Sequence, residues 1–158
     1  MKYLKYLHYV LRHRWFVFWE CAKRGLLWRG LVHDLSKFRP SEFIPYAEYF
    51  YGSISPKRDY TGYYDAMRTG DPAFTFAWFL HQKRNDHHWQ YWMGIQSDGT
   101  VDPLEMPDAA RKEMMADWFG AGRAQGTPDV QLWWTEHKND MILHRCTRQM
   151  IEEELGLS

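Results

Sequence analysis

A chain of 158 residues with 45% apolar and 25% charged side chains has the size and composition of one globular domain with a genuine core. Twenty basic residues balance twenty acidic ones, so the cationic surplus that nucleic-acid phosphates demand is missing, and nucleic acid is not an expected partner. No uncharged apolar run approaches the roughly 18 residues of a membrane span.

Lys5, His8, Arg12, His13 and Arg14 interrupt the N-terminal apolar stretch before a signal-peptide core can form. Cys21 and Cys146 belong to no CxxC pair, which argues against a disulfide scaffold. A soluble, cytoplasmic protein without a membrane partner is expected.

Residues 2–24 lack Pro and Gly and place Leu4, Leu7, Val10, Leu11, Trp15, Phe18 and Trp19 at helical spacing. Trp15 to Trp19 is apolar nearly all round, which predicts burial. Gly25 ends this helix, and Leu26 to Phe38 reads as a second one closed by Pro40. Ser41 is the expected cap of a third helix running to Tyr51, with Pro45 in or near its first turn. Residues 52–72 carry five Gly or Pro breaks and predict a lid or binding loop with a helical turn near Tyr63–Arg68. Ala73 to Gly94 predicts an amphipathic helix, followed by a turn-rich stretch, Gln96–Pro107, with Asp98-Gly99 at its sharpest point. Further helices are expected over Asp108 to about Ala124 and over 129–155. No segment alternates with strand periodicity for long, so residues 1–158 read as a single all-α domain.

The chemistry concentrates on histidine. Adjacent His33 and Asp34 on a helix would diverge by roughly 100° and share an ion only over their common edge. Imidazole suits Zn, Fe, Ni or Mn, and a carboxylate adds negative charge. Lys37 would lie one turn beyond His33 on the same face, placed for a substrate phosphate. His81, Asn85 and His88 recur at i, i+4 and i+7, with His87 about a quarter turn away, so one of His87 and His88 is expected to be structural. His13 falls toward the end of His33 if the first two helices form a hairpin. Asp117, set among apolar residues, must find a cation or donor; Lys112 and Arg123 are the alternatives to a metal. His137, between Glu136 and Lys138, reads as exposed.

The order His13, His33-Asp34, His81, His87-His88, Asp117 resembles that of the HD-domain metal-dependent phosphohydrolases, and His33-Asp34-Leu35-Ser36-Lys37 is similar to their HDxxK variant. The chain also resembles a set of small phage and bacterial proteins with HDLSKF, HHW and ADW signatures, here residues 33–38, 87–89 and 116–118. The resemblance implies a bundle of about five to seven helices, in the cytoplasm (the host's, for a phage protein). It implies one or two divalent ions of Mn, Fe, Ni, Co or Zn. His13, His33, Asp34 and Asp117 would hold the first, and His81 with His87 or His88 the second, bridged by Asp34. The implied reaction is hydrolysis of a small phosphorylated molecule, a nucleotide in the leading reading, by a metal-activated hydroxide. Asp34 and Lys37 would be catalytic. Lys37, Lys57, Arg58 and Arg84 would bind substrate, Tyr46, Tyr49, Tyr63 or Trp92 would stack a base, and Asn85 and Glu42 would support the ligands from outside. The same ligand order also fits a mixed-valent di-iron oxygenase of the same fold. A non-catalytic, metal-stabilised binding module is the third reading.

Overall fold

The structure is a computed structural model that describes residues 1–53, 56 and 58–157. Among these residues the chain forms seven α-helices: α1 (Lys2–Lys23), α2 (Leu27–Val32), α3 (Pro40–Tyr51), α4 (Pro72–Arg84), α5 (Asp108–Gln125), α6 (Val130–His137) and α7 (Arg145–Glu154). Short 3-10 turns occupy Leu35–Phe38, Trp89–Trp92 and Lys138–Asp140. One small antiparallel hairpin pairs β1 (Met93–Ile95) with β2 (Val101–Pro103), turning through Gly99, whose φ of 85° suits glycine. The expected all-α architecture holds.

The central strut is α1. Its Tyr6, Val10, His13, Val17, Glu20 and Cys21 are buried, a spacing of three and four that presents one continuous face. Along that face α1 packs chiefly on α5, with α2 and α3 on its flanks. Two cores result. Tyr6, Val10, Tyr46, Ala47, Phe74 and Ala77 join α1, α3 and α4, while Met114, Met115, Val130, Trp134 and Ile151 join α5, α6 and α7. Val17, Cys21 and Ala116 form a third, smaller cluster between α1 and α5. The histidines lie where the two halves meet.

Several expected boundaries shift, each for a local reason. The second helix stops at Val32 rather than Phe38: His33 is extended (φ −48°, ψ 129°), and Asp34 is left-handed (φ 56°, ψ 24°). The third begins at Pro40 itself, because proline's fixed φ suits a first helical position, and Ser41 does not cap it. The predicted 73–94 helix ends at Arg84, where Asn85 turns extended (φ −126°, ψ 108°). The predicted 129–155 helix is two helices separated by the Lys138–Asp140 turn and an extended link. Trp15 and Trp19, expected inside, are 60% and 48% exposed, because α1 is flanked on only part of its circumference. No described helix is long and apolar enough to cross a membrane.

The α1–α5 crossing depends on Gly120. A Cβ built there would stand 2.4 Å from Val17 Cγ2 and 2.8 Å from Val17 N. Gly120→Ala is therefore expected to cost about 1–3 kcal/mol through forced separation of the two helices. Urea unfolding should show the midpoint falling with an unchanged slope.

Candidate metal centre

The site gathers side chains from five places in the chain. His13 projects from the inner face of α1, His33 and Asp34 from the break after α2, and His81 from the last turn of α4. His87 and His88 follow in the turn beyond Asn85, and Asp117 comes from the middle of α5. Because the helix ends at Val32, His33 and Asp34 do not diverge as helical neighbours. Asp34 is the one non-glycine with positive φ among the described residues. That conformation costs a side chain of this type roughly 1 kcal/mol and turns the carboxylate inward beside the imidazole.

Asp34 is the hub. Its Oδ2 lies 3.3 Å from His13 Nε2 and 3.4 Å from His33 Nε2. Its Oδ1 lies 3.3 Å from His81 Nε2 and 3.4 Å from His87 Nε2. Asp117 Oδ1 closes the first group, at 3.2 Å from His13 Nε2 and 3.5 Å from His33 Nε2. Two overlapping sets follow, His13–His33–Asp34–Asp117 and Asp34–His81–His87–His88, each with donor atoms within 4.8 Å of one another.

Whether these residues fit metal ions is tested by their hydrogen bonds. The Nε2 atoms of His13, His33, His81, His87 and His88 and Asp34 Oδ1 are all buried, and none has a hydrogen-bond partner among the described residues. Such a concentration of orphaned polar atoms is costly in an ordinary core. Ligands about 2.1 Å from a shared ion stand about 3.0–3.4 Å apart, close to the separations found here. The residues fit.

The far sides of the rings are anchored. Glu113 Oε1 lies 2.8 Å from His33 Nδ1 and 3.2 Å from His87 Nδ1, while its other oxygen pairs with Arg29. Glu42 Oε2 lies 2.9 Å from His81 Nδ1 and also accepts from Ser36 Oγ at 2.9 Å. Asn85 Nδ2 donates to His81 O at 2.8 Å and to Ser36 Oγ at 2.8 Å. Carboxylates on Nδ1 fix the tautomer that leaves Nε2 facing inward and strengthen it as a ligand.

Charge follows the same plan. Burial opposes ionisation of Asp34, but His33, Lys37 and His81 outweigh it and hold its carboxyl well below the usual range. Burial likewise opposes the charge of His33, and the Asp34, Asp117 and Glu113 carboxylates outweigh it, raising the imidazole well above its ordinary value. Glu113, desolvated yet bonded to His33 and His87, is lowered to about 2. Burial drives His88 well below its usual value, reinforced by His87 and His81, so it offers a neutral nitrogen.

Lys37 Nζ sits 2.6 Å from Asp34 Oδ2. It pairs with Asp34 three residues back, rather than sharing a helix face with His33. It also lines a cavity of about 780 Å³ that reaches His13, His88 and Asp117 at one end. Arg58 lines it too, stacked over Phe50 and Tyr64 and donating to Gly62 O at 2.9 Å. Of the residues expected to stack a base, Tyr46 and Tyr63 line this space, whereas Tyr49 and Trp92 do not. Trp92 instead donates to Asp86 O at 2.6 Å. Arg84 is also not brought to the cavity: it donates to Glu42 Oε1 at 2.6 Å, so its charge is spent on the His81 support. Lys57 lies outside the described residues.

Both His87 and His88 bring a ring nitrogen into the cluster. The turn after Asn85 frees them from helical spacing. Lys112 pairs with Asp108 and Arg123 with Glu20, leaving Asp117 to the histidines. His137 is not exposed: it is 12% accessible, held between Asp59 and Asp140 and stacked on Tyr63. Glu113, beside Arg111 and Lys112 in sequence, carries no local mark of a buried role. Its signal is the four-residue spacing to Asp117, which puts both carboxylates on one face of α5.

Loss of Glu113 should loosen two histidines at once. Glu113→Gln is expected to weaken Mn(II) or Zn(II) binding about 10–100-fold, measured by competition with a chelating dye, while helical circular dichroism is retained. Unchanged affinity would leave Glu113 as a partner of Arg29 only.

A family model described as a family of unknown function (DUF5662) matches residues 2–157. No curated protein and no solved structure matches the chain. With the match spanning nearly its whole length, the chain belongs to the family of unknown function DUF5662.

Proposed function

We propose that the protein is a metal-dependent phosphohydrolase acting on a small phosphorylated molecule with an aromatic moiety, a nucleotide being the simplest. One observation carries the reading: a cluster of orphaned imidazole nitrogens around a shared carboxylate opens, through His13, His88 and Asp117, on a cavity that also presents Lys37 and Arg58. His13, His33, Asp34 and Asp117 would hold one divalent ion, and Asp34, His81, His87 and His88 a second. Ions bound there would supply Lewis acidity toward a phosphoryl oxygen and lower the pKa of a water.

The chain's own groups do the rest. Lys37 is positioned to transfer part of its charge from Asp34 to an arriving phosphoryl oxygen, and Arg58 to meet a more distant phosphate. Glu113 and Glu42 keep the imidazoles aimed inward. Tyr63, Trp118, Trp133 and His137 line the cavity and offer ring faces to a planar group. The cavity touches His13, His88 and Asp117, so the site has an open side, which favours catalysis over a purely structural ion.

The test is phosphate release from nucleoside mono-, di- and triphosphates by protein loaded with Mn(II), Co(II), Ni(II), Zn(II) or Fe(II). Turnover is expected with at least one ion. Lys37→Met, checked for retained metal, should lower kcat/KM by about 100-fold. Metal-loaded protein that releases no phosphate but consumes oxygen when it carries iron would replace this reading with the oxygenase one.

A further inference from the structure

The surface of α1, α2 and the Leu35–Phe38 turn is unlike the rest of the molecule. Leu4, Leu11, Trp15 and Trp19 recur at spacings of seven, four and four on the side of α1 opposite its buried face. Trp15 packs edge-on against Trp19, which meets Phe18, and Phe18 lies against Gly30 of α2. From there Leu27, Trp28 and Leu31 continue the apolar surface to Leu35 and Phe38, with Trp28 73% exposed. Arg14 ties the two parts together: it donates to Leu31 O and His33 O and lies over the Phe38 ring. A connected apolar surface of this extent marks a contact site.

Its charge is one-sided. Residues 1–39 contain nine Lys or Arg and two carboxylates, Glu20 and Asp34, which are 4% and 1% exposed. Exposed carboxylates are therefore absent from that whole segment. Lys2, Arg24 and Arg29 are neutralised by Glu48, Glu154 and Asp86. Lys5, Arg12 and Arg39 make no ion pair with a described residue, and Lys5 and Arg12 edge the Leu–Trp stripe. A second copy of this chain is a poor occupant, because a twofold contact would set the unpaired Lys5, Arg12 and Arg39 against like charges, and residues 1–39 offer them no exposed carboxylate. Tryptophan and leucine beside unpaired Lys and Arg are what an anionic lipid surface recognises.

We propose that this face docks on an anionic bilayer, with Trp15, Trp19 and Trp28 at headgroup level, Leu27, Leu31 and Leu35 dipping into the acyl boundary, and Lys5, Arg12 and Arg39 meeting lipid phosphates. The cavity takes Tyr6, Tyr9 and His13 from the other side of α1, away from this face. The proposal is independent of the reaction assigned above.

The test is co-sedimentation of the full chain with vesicles of phosphatidylcholine alone and of phosphatidylcholine mixed with phosphatidylglycerol. Binding is expected to the mixed vesicles and to weaken with added salt. Lys5→Gln with Arg12→Gln should weaken it about 30-fold, the combined effect of two surface cations. Trp28→Ser with Leu31→Ser should also release the protein while leaving metal content unchanged. Absence of binding to the anionic vesicles, or variants that bind like the parent, would overturn the proposal. So would a dimer in sedimentation equilibrium that dissociates on Trp28→Ser, which would give the face to a second copy.

Discussion

A carboxylate buried at the junction of two cores is expensive unless cations meet both of its oxygens. Asp34 sets that problem, and much of the fold answers it. The helix before it breaks so that its backbone can turn left-handed. Lys37 curls back through a 3-10 turn to pair with it, and four elements deliver imidazoles around it. The protein groups alone leave five Nε2 atoms and Oδ1 without hydrogen bonds. Divalent ions between Asp34 and the histidines would turn the least favourable region of the interior into one that ties α1, α2, α4 and α5 together.

The supporting shell shows the same economy. Glu113 serves His33 and His87 together, so the two ligand sets share an outer anchor as well as the inner carboxylate. Arg29 holds Glu113 and Asp86, linking α2 to the turn that carries His87 and His88. On the opposite wall, Thr61 Oγ1 lies 2.9 Å from His137 Nε2, and Tyr63 stacks on the same ring. Asp59 Oδ1 accepts from the backbone nitrogens of Thr61 and Tyr63 and from Thr61 Oγ1. The described part of the loop after α3, expected as a lid or binding loop, lines the cavity and is joined to α6.

The helical class and the inner face of α1 were legible because apolar spacing is a local signal. The candidate ligand set follows instead from the resemblance to the HD-domain order, and the fold brings His13, His33, Asp34, His81, His87, His88 and Asp117 into groups that could hold a metal ion. The details of presentation were not legible. Nothing like Gly or Pro marks His33, Asp34 or Asn85 as helix ends, so a periodic reading carries the helix through them. Those breaks are tertiary in origin, the backbone yielding to bring polar atoms to one centre. Trp15 and Trp19 misled in the opposite way, since hydrophobicity alone does not distinguish a core face from an unpartnered one.

Elemental analysis of the purified protein beside its Asp34→Ala variant decides whether the atoms around Asp34 are ligands. Near-stoichiometric or greater Mn, Fe, Ni, Co or Zn is expected in the parent, and its loss from a variant that remains helical. Metal-free protein in both, with none taken up on reconstitution, would contradict a ligand role for those atoms.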